Sequence, residues 1–410
     1  MNDIKSKESV FSKYQIFIIV LLAFLQFSVV LDFMILSPMG YHLMKVMDIT
    51  KSDFSYVVSA YALSAFFGGF AVAGFADRFD RKKLLLFFYA GFIVGTLLCG
   101  IADSYEFLFF ARIITGLFGG VIGSITNAII TDIFAIHVRG RVMGLIQIAF
   151  AGSQVLGIPF GLYMMKEVGW HFPFLIIVAV SMVVFVIIAL YLKPINDHLK
   201  LKNDENQFRK LINTISNPYY LTAFGVAALL ATGGYMLMPF GSDFGIHNLG
   251  IEEDNLPFLY LLTGISTMFV MPLAGRISDS VGRYPVFLVG SVLSLVMVLI
   301  YCNLGITPFW LVVTLNIILF LGIMSRIAPA QALMTSLPEP KDRGAFMSVY
   351  SGIQYLSGFL GSYLAGKIVS GKPGMPVENY DILGYVVAIA IILTAILMYM
   401  VNLKVKKKAY

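Results

Sequence analysis

Long apolar runs separated by short polar breaks occupy almost the whole chain. An α-helix needs roughly 20 mostly apolar residues to cross the hydrocarbon layer of a membrane. Glycines are frequent inside the runs, as is usual where packed membrane helices approach each other closely. The pattern predicts twelve membrane-spanning helices, over residues 14–40, 54–76, 84–102, 105–134, 141–165, 171–192, 218–241, 256–277, 285–304, 308–336, 344–368 and 380–402.

The composition agrees with a protein that lies in a bilayer. Of the 410 residues, 59% are hydrophobic and 13% are charged, and the mean hydropathy is +0.85. Soluble domains are less apolar and about twice as charged, so this composition excludes a cytosolic enzyme, a nucleic-acid binder and a disordered scaffold. Cys99 and Cys302 both lie in apolar runs, which indicates neither a disulfide framework nor a metal cluster.

The basic residues are distributed unevenly between the two ends of the predicted helices. Of the 29 Lys and Arg residues, 22 lie on the face that carries both chain termini. Positive residues concentrate on the cytoplasmic side of membrane proteins. The sequence therefore predicts a multi-pass protein of the cell membrane, in a bacterium the plasma or inner membrane, with both termini in the cytoplasm.

The chain divides into two related halves. Arg81 aligns with Arg283 at a shift of 202 residues, and Arg139 aligns with Arg343 at a shift of 204. Parallel repeats of this kind place the substrate site of a transporter at the interface between the repeats. The predicted organisation is a six-helix bundle, a cytoplasmic linker and a second six-helix bundle, over residues 1–192, 193–217 and 218–410.

Two loops carry a motif of a known transporter family. Residues 73–82 read AGFADRFDRK, and residues 275–283 read GRISDSVGR. Both resemble the G-x-x-x-D-R-x-G-R-K motif of the major facilitator superfamily, and this resemblance covers essentially the whole chain. It implies an all-α membrane fold of twelve helices in two pseudo-symmetric bundles, in which the motif residues have a gating role. These residues are Asp77, Arg78, Arg81, Asp279 and Arg283. The alternative is that the basic loops only set the membrane topology.

Further motifs narrow the resemblance to one branch of that family. Arg112 and Gly116 match an R-x-x-x-G motif that the family associates with proton coupling. Residues 152–161 form a loose version of the glycine-proline motif of exporters, and residues 169–174 resemble the GWR-x-x-F of drug and sugar efflux members, with His171 in the arginine position. The branch is that of drug:proton antiporters and sugar-efflux proteins, and the imperfect exporter motif leaves the direction of transport open.

Asp32 and Arg112 are charged residues inside predicted spans, where charges are costly and indicate function. Asp32 lies about 27 Å along the first span from Tyr14, and Arg112 lies about 10 Å from Tyr105 on the fourth, so the two reach a similar depth. Burial favours the neutral acid, whereas a nearby arginine favours the carboxylate. We therefore predict a proton-coupling site whose occupancy depends on conformation. The alternative is a permanent ion pair that only stabilises helix packing.

Arg326 is the third charge inside a span. We predict that it binds substrate, with anchoring at the membrane interface as the alternative. Asn127 and Gln331 correspond at the shift of 204 residues, and they are expected either to contact substrate or to bond between helices. Tyr235, Met236 and Tyr355 are predicted to line an aromatic, methionine-containing pocket for amphipathic molecules, although packing alone also explains such residues.

No catalytic or nucleotide-binding motif accompanies these features. The sequence contains no P-loop, HExxH or GxSxG pattern, so we expect neither an enzyme nor an ATP-driven pump, with no cofactor and no metal. The predicted function is proton-coupled efflux of small amphipathic or drug-like compounds by alternating access. The predicted partners are a small-molecule substrate, protons and membrane lipid, without nucleic acid, and the expected state is a monomer. The alternatives are proton-coupled uptake or exchange of a small, possibly anionic, nutrient, and a membrane sensor or receptor that transports nothing.

Overall fold

The computed structural model describes residues 11–73, 78–196, 199, 207–339 and 342–409, and its regular structure is helical apart from one isolated bridge. Short 3₁₀ segments cover Met238–Phe240 and Glu253–Asn255, and a π-helical turn covers Ser153–Gly157. The α-helices are α1 Lys13–Ile35, α2 Gly40–Val46, α3 Lys51–Ala73, α4 Arg81–Gly100, α5 Tyr105–Ile133, α6 Ile136–Gly152, α7 Ile158–Glu167, α8 Phe172–Tyr191, α9 Gln207–Ile215, α10 Pro218–Leu237, α11 Gly241–His247, α12 Leu256–Val281, α13 Arg283–Tyr301, α14 Phe309–Ser336, α15 Arg343–Ile368 and α16 Tyr380–Ala409.

Polar side chains cap the N-termini of several helices and so define where these helices begin. Ser12 accepts a hydrogen bond from the backbone N–H of Gln15, and the Gln15 side chain accepts one from the backbone N–H of Ser12, which forms a capping box at α1. Asp80 caps α4 through two backbone N–H groups. Asn217 caps α10, in which Pro218 is the first residue.

Ten helices in the described part of the chain are long and apolar enough to cross a membrane. The two other predicted spans correspond to α6 and α7, which the π-helical turn separates, and to α15. Both segments pack against the opposite half of the molecule, α7 against α12 and α15 against α3. Because they face protein over much of their length, they need less apolar surface than a helix that faces lipid.

The helices form two groups that follow the chain. Helices α1, α3, α4, α5, α6 and α8 pack among themselves, and helices α10, α12, α13, α14, α15 and α16 pack among themselves. The first group is called the N half below and the second the C half, with α2 and α7 in the N half and α11 in the C half. The halves meet mainly along α3 with α15 and along α7 with α12. This is the two-bundle architecture that the repeat and the resemblance imply.

Three polar contacts join the halves at one face of the molecule. Lys51 forms an ion pair with Asp243, and Lys166 lies 2.5 Å from Asp254. Ser242 donates a hydrogen bond of 3.1 Å to the carbonyl of Ser37. All three contacts join the N half to the C half at the ends of helices remote from the chain termini. This end is called the closed face, and the end that carries the termini is called the terminal face.

At the terminal face, the following contacts of the motif residues Arg81 and Arg283 each lie within one half. Arg81 Nε lies 3.1 Å from Asp132 Oδ2, both in the N half. Arg283 donates to the carbonyl of Ala332 at 3.0 Å and to Ser336 Oγ at 2.7 Å, all in the C half. These contacts therefore do not join the two halves.

Candidate functional site

Asp32 and Arg112 form an ion pair in the interior of the N half. Arg112 Nη1 lies 2.9 Å from Asp32 Oδ2, and the arginine and aspartate side chains are 1% and 0% exposed. The same nitrogen lies 3.4 Å from the Asp32 carbonyl oxygen. Thr96 on α4 donates a hydrogen bond of 3.1 Å to the other carboxylate oxygen. The structure thus brings together the two residues that the sequence singles out as a proton-coupling site.

Close packing of α3 on α5 positions Tyr61 beside this pair. A Cβ atom at Gly116 of α5 would lie 2.3 Å from the Tyr61 carbonyl oxygen and 2.2 Å from Ser64 Oγ. Only glycine allows so close an approach. The guanidinium carbon of Arg112 consequently lies 4.7 Å from the centre of the Tyr61 ring, within the range of a cation–π interaction. Arg112 Nε is buried and has no hydrogen-bond partner among the described residues.

A row of aromatic rings leads from the ion pair to the C half. Phe33 follows Asp32 in α1, and its ring centre lies 5.1 Å from that of Tyr61 and 5.8 Å from that of Tyr235 on α10. Tyr355 lies on α15, which packs against both α3 and α10. Side chains from both halves therefore surround the position between the ion pair and the interface.

Met236 and the predicted amide residues occupy other environments. Met236 is 1% exposed and belongs to the same hydrophobic core as Phe240 and Phe244, so it does not line an open pocket in this conformation. Asn127 on α5 and Gln331 on α14 have exposed side chains that make no hydrogen bond to the described residues. They are thus available to a ligand but are not joined to the Asp32–Arg112 pair.

Arg326 lies in the C half and is separate from the ion pair. Its side chain is buried, at 5% exposure, and its guanidinium carbon lies 5.3 Å from the centre of the Phe287 ring. No carboxylate among the described residues pairs with it, and its Nε atom has no hydrogen-bond partner there. An unpaired buried charge costs free energy, so this position favours an anionic partner.

The C half has no acid–base pair at the position that corresponds to Arg112. Asn316 stands there at the shift of 204 residues. It accepts a hydrogen bond of 2.8 Å from Thr263, and its amide nitrogen lies 3.2 Å from the Tyr301 hydroxyl. The two halves therefore share a helix arrangement, while Asn316 of the C half takes the place of the charged Arg112 in the N half.

The predicted gating residues have different surroundings. Arg81 and Arg283 make the contacts within their own halves given above. Arg78 and Asp279 are exposed, and neither forms an ion pair or side-chain hydrogen bond with another described residue. Asp77 lies outside the described residues.

Among the contacts between the halves that were not predicted from the sequence, two join buried side chains. Thr267 donates a hydrogen bond of 3.2 Å to Gln154 Oε1 beside the π-helical turn. Lys51 and Asp243, 192 positions apart, form the buried ion pair at the closed face. Gln154 is recognisable as an amide inside an apolar run, but no local pattern relates Lys51 to Asp243, because both lie near helix ends where charges are ordinary.

Several known proteins are similar to this chain in sequence or in fold. A sequence model described as Major Facilitator Superfamily matches residues 22–362 and 223–409. The Bacillus subtilis protein named uncharacterized MFS-type transporter YceJ is 26% identical over 337 residues, which cover 82% of this chain and 85% of that protein. Multidrug resistance protein 2 of the same species is 24% identical over 287 residues, covering 68% and 70%. A bacterial homolog of the human lysosomal transporter Spinster, crystallised in an inward-facing and unoccupied conformation, has the same fold, with a TM-score of 0.76, 16% identity and coverage of 97% of this chain and 99% of that one.

Proposed function

Since this chain belongs to the major facilitator superfamily of membrane transporters, we propose that it exports small amphipathic compounds in exchange for protons. The observation that carries the proposal is the buried Asp32–Arg112 pair, which lies next to aromatic side chains from both halves. A buried acid that can gain or lose a proton provides the coupling site of an antiporter. No ATP-binding motif is needed, because the proton gradient supplies the free energy.

The ion pair is connected to the interface through three aromatic side chains. Arg112 contacts Tyr61, Tyr61 contacts Phe33, and Phe33 contacts Tyr235 of the C half. A proton on Asp32 removes the charge that holds Arg112, so the guanidinium then relies on Tyr61 and is free to reorient. Because Tyr61 contacts Arg112 and Phe33 contacts both Tyr61 and Tyr235 of the C half, this reorientation changes the surface that a substrate meets.

The two faces supply the alternating access. In this proposal both termini lie in the cytoplasm, so the closed face is the outer one, and the contacts between the halves there correspond to a state that is closed to the outside. The loops with Arg78, Arg81, Asp279 and Arg283 then form the inner gate in the opposite conformation, when the halves approach at the terminal face. In the present state Arg81 and Arg283 bind partners in their own halves, as an open inner gate requires.

The substrate class is supported by the surfaces that a compound would meet. An apolar groove of about 270 Å³ runs between α3, α5 and α15 and is lined by Tyr56, Phe67, Phe109, Phe359 and Tyr363, among others. Such a groove admits an apolar molecule from the membrane. Asn127 on α5 and Gln331 on α14 lie outside this groove, and we propose that their exposed amide groups bind a polar part of the compound elsewhere on its path. One relative is named a multidrug resistance protein, which is consistent with amphipathic substrates.

A second candidate function rests on Arg326. Because this buried guanidinium has no acidic partner among the described residues, it favours uptake or exchange of a small anion in place of efflux of amphipathic compounds. The two candidates differ in what Arg326 does: in the first it contributes little to substrate affinity, and in the second its removal abolishes binding.

The experiment that tests the proposal is transport of fluorescent amphipathic dyes by the purified chain in proteoliposomes under an imposed pH gradient. We expect dye to move against the direction of proton flow and to reverse when the gradient is reversed. Asp32→Asn should abolish movement driven by the gradient, while Asp103→Asn, which makes the same chemical change at a 97% exposed side chain, should leave it unchanged. Full gradient-driven transport by Asp32→Asn would rule out the coupling site.

A further inference from the structure

We propose that Asp243 and His247 form a second proton-binding site, at the closed face, and that a proton bound there releases Lys51 and opens that face. Lys51 is the first residue of α3 in the N half, whereas Asp243 and His247 belong to α11 in the C half. This second site depends on neither the transported compound nor the role of Asp32.

Lys51 inserts into a socket that the C half builds. The socket consists of Asp243, His247 and the loop 369–379, and it is called the Lys51 socket below. The lysine ammonium pairs with Asp243 Oδ2 and lies 3.3 Å from the carbonyl oxygen of Met375. Both charged side chains are only 1% exposed, so the pair is shielded from solvent and from screening by salt.

The loop that covers Lys51 is itself held to α11. Asn248, the residue after His247, donates a hydrogen bond of 3.0 Å to the Val377 carbonyl and accepts one of 2.7 Å from the Val377 N–H. Ser370 and Glu378 pair through their backbones across the base of the loop. The socket is therefore a preformed part of the C half, and closing the face requires that Lys51 enter it.

His247 binds the second oxygen of the same carboxylate. His247 Nδ1 lies 2.8 Å from Asp243 Oδ1, and its side chain is 21% exposed. A carboxylate only accepts hydrogen bonds, so Nδ1 carries a hydrogen here, and the free Nε2 is the atom that takes up a proton. The partial exposure of the ring gives that proton a path from solvent, which the buried carboxylate lacks.

The charge of the socket changes when His247 gains a proton. With a neutral imidazole, Lys51 and Asp243 cancel each other. With an imidazolium, two cations share one buried carboxylate, and an uncompensated positive charge in a buried site is unfavourable. When the N half moves away from the C half, Lys51 leaves the socket and its ammonium group becomes solvated. The socket then no longer holds an uncompensated positive charge.

Proton binding at His247 and opening of the closed face are thermodynamically linked. In the open state Lys51 has left, and Asp243 and His247 remain four positions apart on one helix, so an imidazolium is then the carboxylate's sole partner in the socket. The open state thus binds the proton more tightly than the closed state. A ligand that binds one state more tightly shifts the equilibrium toward that state, so acidification opens the closed face.

Other titratable groups surround α11 and define the control. They are Tyr41, His42 and Lys45 on α2, Glu253 and Asp254 before α12, Tyr260 on α12, Tyr301 on α13, Lys372 and Glu378 in the loop 369–379 and Tyr380 on α16. His42 is the other imidazole of this set, and burial lowers its pKa, against a weaker opposing effect of Glu253. His42→Gln is therefore the matched control for His247→Gln.

The test measures the separation of the halves at the closed face as a function of pH. Spin labels at Val168→Cys and Ile306→Cys report one exposed position in each half, and the native Cys99 and Cys302 are buried. In nanodiscs without substrate, we expect the ratio of open to closed distances to rise about tenfold between pH 8 and pH 5, a usual size for coupling between two sites.

The variants show whether the pH response arises in the Lys51 socket or at another titratable group. His247→Gln should remain closed and lose the pH response, whereas His42→Gln and Asp32→Asn should keep it. Lys51→Gln should be open at every pH, and Lys51→Arg should restore closure. A pH response that persists in His247→Gln, or a wild-type chain that does not respond to pH, would overturn the proposal. A normal response without dye transport would instead leave the socket intact and contradict the proposed efflux function.

Discussion

The carboxylate of Asp32 accepts hydrogen bonds from Arg112 and Thr96, and neither member of the Asp32–Arg112 ion pair is exposed to solvent in this conformation. The three side chains come from α1, α5 and α4, so the pair links three helices of one half. Such a site is suited to a proton that is exchanged in another conformation. It is also what a fixed structural ion pair looks like, and the two interpretations predict different behaviour of variants.

The first prediction compares single and double neutralisation of this pair. Arg112→Gln leaves the buried Asp32 carboxylate without its cationic partner, and breaking a buried ion pair in this way costs about 3–5 kcal/mol. Asp32→Asn with Arg112→Gln removes both charges and should recover most of that stability. Thermal unfolding in detergent measures the difference, and gradient-driven transport should remain absent in the double variant.

The double variant distinguishes the two interpretations because it separates stability from coupling. If the pair only holds the helices together, a stable double variant should still carry out gradient-driven transport. Transport at the wild-type rate by that variant would therefore contradict the coupling role.

The second prediction concerns Gly366, where α15 meets α3. A Cβ atom there would lie 1.8 Å from Ser55 Oγ, so Gly366→Ala forces the halves apart at the closed face. Overpacking costs about 1–3 kcal/mol, which corresponds to a loss of the closed state by a factor of about 5 to 150. Distance measurements between labels at Val168→Cys and Ile306→Cys should detect it.

The control for Gly366→Ala is Gly69→Ala, which makes the same change on α3. A Cβ at Gly69 would meet no atom within 4 Å, so this variant should keep the wild-type distance distribution. Equal distributions for Gly366→Ala and wild type would show that the contact does not limit closure.

The third prediction concerns Arg326. Because its guanidinium has no acidic partner among the described residues, Arg326→Gln should leave the unfolding temperature unchanged or raise it, unlike Arg112→Gln, which should lower it. If Arg326 recognises an anion, stabilisation of the wild-type chain by small carboxylates and phosphates should disappear in Arg326→Gln. A loss of stability as large as that of Arg112→Gln would indicate an acidic partner instead.

The fourth prediction concerns the ring of Tyr61. The Arg112 guanidinium lies 4.7 Å from its centre, and a desolvated cation–π contact contributes about 2 kcal/mol. Tyr61→Leu should therefore slow gradient-driven transport by about tenfold or more, while Tyr61→Phe, which keeps the ring, should retain most of it. Equal rates for the two variants would exclude a role for the ring.

Several properties of this protein follow from the sequence alone. Hydropathy is a local property, so apolar run length places the spans without knowledge of their neighbours. The rise of 1.5 Å per residue then gives the depth of each residue along its span. For this reason the sequence alone places Asp32 and Arg112 at a similar depth in the membrane. The repeat of Arg81 at Arg283 is equally a property of the linear chain.

Only the tertiary structure decided which side chains meet across helices and across halves. Depth along a span does not give the rotation of a helix about its axis, which determines the direction of each side chain. The sequence therefore did not show that Met236 packs in the core while its neighbour Tyr235 contacts Phe33. The sequence also does not show how the two halves pack against each other, and the ion pair of Lys51 with Asp243 depends on that packing. Contacts within a helix are set by nearby residues, whereas contacts between rigid bundles are set by the complementary shape and charge of their whole surfaces.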